Sequence, residues 1–199
     1  ALAILEEKLG PTHPQLANPL NRLGDILVRR GQSGDGLATQ ERGLAIARAA
    51  YGEANPNTAH VLRGLAASRW RLQQRREAIG LQRRAIESFE KSLGPTHLET
   101  AKARGQLCNS ILLDGGDPNE AEKLCASAEQ VLQAGQPGSR LPLQMARLRL
   151  AHAHLLLGRG RTADSILARV RAVGDSGGLS TPNRRVLDSL TNLLAARER

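Results

Sequence analysis

Apolar residues recur at spacings of three and four through most of the chain, the period of helices with one buried face. Short polar breaks separate the runs. They predict first helices over 13–30, 56–72, 98–113 and 141–157, and second helices over 35–51, 77–93, 119–134 and 162–173. A last helix, 181–197, has no partner. Boundary residues agree with this division. Gly10, Gly52 and Gly94 each follow a run, where a left-handed C-terminal cap favours glycine. Thr12 with Gln15, and Thr96 with Glu99, have capping-box spacing at the next helix start. Pro14 and Pro56 fall in first turns, where the missing N–H costs nothing. Gly31 and the stretch 115–118 break the chain within units, and 136–138 and 175–178 break it between later ones.

The pattern repeats. LGPTHP at 9–14 returns as YGEANP at 51–56 and as LGPTHL at 93–98, a period of 42 residues. A period of this size means that each unit buries its apolar face only against its neighbours, and that the stack presents one extended surface. ALAILEEKL at 1–9 aligns with GLAIARAAY at 43–51 and AIESFEKSL at 85–93, which end second helices. The chain is therefore expected to begin inside a repeat, as a piece of a longer protein. A single domain over 1–199 is expected, with a truncated unit at 1–10, repeats at 11–52, 53–94, 95–135 and 136–174, and a capping helix within 175–199.

Composition narrows the class. Tyr51, Trp70 and Phe89 are the only aromatics of these types among 199 residues, and an Ala- and Leu-rich chain suits close helix packing better than sheets. The fold class expected is all-α. The net charge of +9 is carried mainly by arginine, which favours acidic partners through encounter rate. That charge is scattered, with no aromatic residues interleaved to stack bases, so nucleic acid is disfavoured. Cys108 and Cys125 belong to no metal-type motif and read as reduced core residues. No run approaches the ~18 apolar residues of a membrane span, and no signal peptide is visible. The expected setting is cytoplasmic, without membrane association.

The small and large packing positions resemble the tetratricopeptide repeat, in the 42-residue form found in kinesin light chains and in many bacterial multidomain proteins. Unit one carries Leu20, Leu23, Gly24 and Leu27, then Gly36, Gln40 and Gly43. Unit two has Leu62, Leu65, Ala66 and Arg69, then Ala78, Gln82 and Ala85. Unit three has Arg104, Leu107, Cys108 and Ile111, then Ala121, Cys125 and Ala128, within the family-like string EAEKLCASA. Unit four has Arg147, Leu150, Ala151 and His154, then Ala163, Leu167 and Val170. Arg69, Arg104, Arg147 and His154 stand where the family places large apolar groups; long stems are expected to cover apolar surface while their heads reach solvent. The resemblance implies a right-handed α-solenoid of stacked helix-turn-helix repeats that binds protein and performs no catalysis.

It also implies that first helices line a groove. Mapped here, the stripe holds Asn21, Arg22, Asp25 and Arg29, then His60, Arg63, Ala67, Trp70 and Arg71, then Lys102, Gly105 and Asn109. Arg22, Arg29, Arg63, Arg71 and Lys102 face Asp25 alone, so an acidic peptide or a C-terminal carboxylate fits, with bidentate arginine contacts and amide contacts from Asn. The same charges also suit a merely solvated face, and Trp70 suits packing. His152 and His154 point ~200° apart on a helix and cannot share a metal ion. His13 and His97, in matching turns, read as helix-entrance residues. No nucleophile, base and acid converge, and no cofactor is expected. Two other readings stay open, a self-association module and a regulatory nucleic-acid-binding domain.

Overall fold

A computed structural model describes residues 2–135, 139–175 and 179–197. Every element among them is helical: α1 (Leu2–Leu9), α2 (Ala17–Arg29), α3 (Ser33–Tyr51), α4 (Pro56–Arg71), α5 (Arg75–Leu93), α6 (Leu98–Leu113), α7 (Pro118–Gln133), α8 (Arg140–Leu156), α9 (Gly160–Asp175) and α10 (Thr181–Arg197). A short 3-10 turn, Pro14–Leu16, precedes α2, where one continuous helix from residue 13 was expected. The break expected at 136–138 and most of the one at 175–178 lie outside the described residues.

The chain divides into two compact units, Ala1–Pro95 and Thr96–Arg199, which are unit one and unit two from here on, each holding more than one repeat. In the first, α2 packs on α3 and α4, α3 packs on α4, and α4 packs on α5. Leu16, Leu20, Leu44, Ile46, Val61, Leu62 and Leu65 form its core, with Leu2 and Leu5 of α1 against it. In the second, α6 packs on α7 and α8, α8 packs on α7 and α9, and α10 lies on α8 and α9. Thus α10 meets α8 as α8 meets α6, and occupies the place of a first helix.

Small residues set the helix approach in unit one. A Cβ on Gly24 would stand 2.3 Å from Gln40 Cγ and 2.4 Å from the Gly36 carbonyl oxygen. Room at Gly24 lets the buried Gln40 side chain cross to α2, where its Nε2 donates to the Asn21 carbonyl (3.3 Å) and Oδ1 (3.1 Å). Ala78, Ala85, Ala121 and Ala128 play the small-residue role in the later pairs, each fully buried.

The helix entrances correct the capping expectation. His13 and His97, not Thr12 and Thr96, are the N-caps: each ring Nδ1 accepts the N–H two residues on, from Gln15 (3.3 Å) and Glu99 (3.1 Å). Asn55 caps α4 through Asn57 N–H at 2.9 Å. Gly52 and Gly94 have φ of +78° and +91°, as expected, but with ψ of 178° and 161°, an extended positive-φ state open essentially to glycine alone.

The two cysteines are not free thiols. Cys108 of α6 and Cys125 of α7 form a disulfide, with Cα atoms 5.8 Å apart. Two facing small positions of one helix pair bring the sulfurs within bonding range, a pairing that motif spacing alone does not reveal.

Candidate functional site

Of the four polar residues at apolar packing positions, the three arginines each meet a polar partner, and the histidine lies near a carboxylate without a hydrogen bond to it. Arg69 reaches Glu41 of α3 at 2.6 Å. Arg104 donates to Ser127 of α7 at 2.8 Å. Arg147 pairs with Glu129 of α7 at 2.9 Å, both side chains about a tenth exposed, and Arg169 of α9 joins the same carboxylate at 3.2 Å. His154 Nδ1 lies 3.8 Å from Glu122 of α7. Packing in these units is therefore partly by matched charge, beyond the snorkelling stems expected.

Nine of the twelve residues mapped to the groove stripe lie in unit one. Three of them converge. Asp25 of α2 accepts Arg29, one turn along the same helix, at 2.7 Å and Arg71 of α4 at 3.0 Å. The carboxylate holds the two guanidinium groups beside each other on the surface of α2 and α4, and Arg22 is exposed on α2. The remaining residues are engaged in packing. Asn21 Oδ1 accepts from Gln40 Nε2, and its amide fills the space that a Cβ on Gly64 would take, 2.3 Å away. His60 meets the buried Phe89 ring of α5 edge-on at 5.1 Å, and the Arg63 guanidinium stands 5.8 Å above that ring. Trp70 is covered by the Arg75 guanidinium at 3.8 Å, a cation–π contact that makes it a packing partner of the α4–α5 turn.

The other three, Lys102, Gly105 and Asn109, lie in unit two. Lys102 pairs with Glu99 at 2.9 Å, one turn away. Asn109 Oδ1 accepts Arg149 Nε at 3.1 Å. Arg149 of α8 was not among the expected groove residues, because its contact with Asn109 of α6 follows from tertiary packing and not from helical spacing. Burial lowers the Arg149 pKa to about 10, still cationic at neutral pH. Burial also lowers His152 below its ordinary range. Among the described residues no three His, Cys, Asp or Glu side chains gather as a metal site, and no helix is long and apolar enough to cross a membrane.

A family model matches part of the sequence. The tetratricopeptide repeat model aligns with residues 20–91. Residues 20–91 thus match the tetratricopeptide repeat. Solved structures extend the likeness beyond that segment. BtubC (BKLC) from P. vanneervenii superposes with a TM-score of 0.74 at 19% identity, over 85% of this chain and 67% of that one. The nearly identical TPR-like repeats of a kinesin light chain-type protein of Podosopora anserina give 0.74 at 18% identity, over 94% and 90%. A singly substituted form of those repeats gives 0.72 at 17%, over 94% and 98%. At these identities the likeness is one of fold. No curated protein matches the sequence.

Proposed function

We propose that the chain is a protein-interaction module that holds an acidic segment of a partner against its first helices. Tetratricopeptide repeats generally bind proteins or peptides, and the finer reading rests on one observation: Asp25 gathers Arg29 and Arg71 on the exposed surface of α2 and α4. Arg22 adds a third positive charge to α2, and Arg63 a further one to α4. A carboxylate arriving there replaces Asp25 as partner to one guanidinium, and gains a charge-assisted, bidentate contact. Asn21 and Asn109 position neighbouring helices in this reading. Binding alone is proposed, with no chemical step. A cytoplasmic setting is retained as part of the reading, and the Cys108–Cys125 bond, of a kind that persists in oxidising surroundings, is the feature that weighs against it.

The test is calorimetric titration of an acidic peptide with the wild type and the Arg63→Glu/Arg71→Glu variant. Losing a charged hydrogen bond costs about 1.5–3 kcal/mol, so affinity should fall well over tenfold, with helical content unchanged. Ligands that prove basic, or a variant that binds as well as wild type, would overturn the assignment.

A further inference from the structure

The four helix pairs share two register positions, and a different contact fills them in each. The first repeat has Gly24 and Gln40, the second Ala66 and Gln82, and the fourth Ala151 and Leu167. Gln40 fills the space beside Gly24, and Ala151 and Leu167 are fully buried. The third repeat has Cys108 and Cys125, joined by the disulfide. With only two cysteines in the chain, this is the one crossing whose strength depends on oxidation state.

The bond sits among the contacts that hold unit two together. Cys125 shares one face of α7 with Glu122 and Glu129, at spacings of three and four. Glu129 takes Arg147 of α8 and Arg169 of α9, and Glu122 takes Arg159, at the turn between those helices, at 2.7 Å. On α6, Asn109 follows Cys108 and accepts Arg149 Nε, and the Gly105 carbonyl accepts Arg149 Nη1 at 2.8 Å. The two bonded helices thus supply anchors for α8, and a looser α6–α7 crossing loosens α8 and α9 with it. Both cysteines are 0% exposed. Thiol–disulfide exchange needs a thiolate to reach a sulfur, so a reductant attacks this bond only when the crossing opens.

We propose that Cys108–Cys125 is a redox lock on unit two, closed in this structure, whose opening lowers the stability of α6–α9 and leaves unit one as it is. Closing joins Sγ to Sγ. The two thiols give up two protons and two electrons to a disulfide-bearing oxidant, which passes through a mixed disulfide and leaves as two thiols. Because the closed bond is shielded, its state changes only as fast as unit two opens. A mild reductant therefore leaves the folded protein locked, and reduction takes hold under conditions that already loosen unit two. The α2–α4 face lies in unit one, so the lock and the acidic-peptide reading succeed or fail separately.

The whole chain carries its own probes, since Trp70, the single tryptophan, lies in unit one and both cysteines lie in unit two. Oxidised protein is compared with protein refolded in dithiothreitol by peptide-level hydrogen exchange, Trp70 fluorescence and thiol alkylation. Reduction is expected to speed exchange of the α6–α8 amides on the order of a hundredfold, the equivalent of the loop-closure stabilisation of such a bridge. Exchange in α4 and α5 and the Trp70 signal should not change, and glutathione disulfide should restore slow exchange. Dithiothreitol added to folded, oxidised protein should release alkylatable thiols slowly, and faster in urea too dilute to move the Trp70 signal. Cys108→Ala/Cys125→Leu, which copies the crossing of the fourth repeat, should exchange at one rate with and without reductant, with Cys108→Ala/Cys125→Ala as the smaller alternative. Equal α6–α8 exchange in both redox forms overturns the proposal, as does reduction of the folded protein as fast as in full denaturant. A Trp70 signal that shifts with redox state overturns the assignment to unit two. A response to dithiothreitol that persists in the cysteine-free variants places the effect elsewhere and is equally fatal.

Discussion

Arg71 of α4 reaches Asp25 of α2, 46 residues earlier, with Nη1 3.0 Å from Oδ1. The pair links successive first helices of unit one. It also competes with any acidic ligand for the same guanidinium, and Arg29 shares the carboxylate. Both arginines are substantially exposed, so each ion pair contributes only about 0–1 kcal/mol to stability.

Asp25→Asn should therefore raise affinity for an acidic peptide several-fold, because two arginines lose their intramolecular anion. The melting temperature should move little. Calorimetry beside circular dichroism decides the matter. Reduced affinity would show that Asp25 contacts the ligand or that its arginines need it for orientation.

Much of the fold was legible because a period is a long-range signal carried by short strings. The turn sequences at 9–14, 51–56 and 93–98 located helix pairs to within a few residues, and the small positions Ala78, Ala121 and Ala163 are indeed fully buried. The site was less legible. A helical stripe tells which residues share a face, but not which of them a neighbour has already engaged. Asn21 is on the expected face, yet Gln40 takes its Oδ1 only because Gly24 leaves a gap. Arg63 and His60 share the predicted stripe and lie on Phe89. Arg149 is joined to the predicted stripe by its contact with Asn109, 40 residues away in sequence, which no helical period encodes.

Gly24→Ala should destabilise unit one, since the new Cβ would meet Gln40 Cγ at 2.3 Å and backbone oxygen at 2.4 Å. The side chain can move; the carbonyl of Gly36 cannot without shifting α3. Ala78→Leu and Ala121→Leu should act likewise at fully buried positions. Overpacking costs about 1–3 kcal/mol, readable as a shift in urea midpoint. Unchanged midpoints for all three variants would show that the helix register is wrong.

Cys108→Ala/Cys125→Ala should lower stability by about 3 kcal/mol, the loop-closure value for a bridge of this span in the chain-entropy model. Both side chains are fully buried, so the substituted pair still fits between α6 and α7. Thiol titration of the unreduced, denatured wild type should find no free sulfhydryl. Two titratable thiols would instead mean that the protein is held reduced.

Removal of α10 should destabilise unit two. Leu187, Leu190 and Leu194 are each 6% exposed, and α10 lies on both α8 and α9. Burying such a side chain contributes about 1.5–3 kcal/mol, so a chain ending at Val173 should melt earlier and lose solubility as α8 and α9 are uncovered. Equal melting and solubility would show that α10 is a dispensable appendage.

His154 gives unit two a pH dependence of definite sign. The residue is 8% exposed, and its Nδ1 has no hydrogen-bond partner among the described residues. Burial lowers its pKa below the ordinary 6.5; Glu122 opposes the shift and Arg159 adds to it. The unfolded chain therefore binds a proton more readily than the folded one, and stability rises with pH wherever that difference operates. The contribution is fully present above pH 6.5 and is lost as pH falls through the folded value. His152, lowered by burial alone, acts in the same direction. Melting followed by circular dichroism should be flat between pH 8 and 7 and decline from about pH 6.5 downward, above the range where carboxylates protonate. His154→Leu should reduce that decline, and His152→Leu/His154→Leu should remove most of it. A double variant with the full wild-type slope would assign the acid sensitivity to groups elsewhere in the chain.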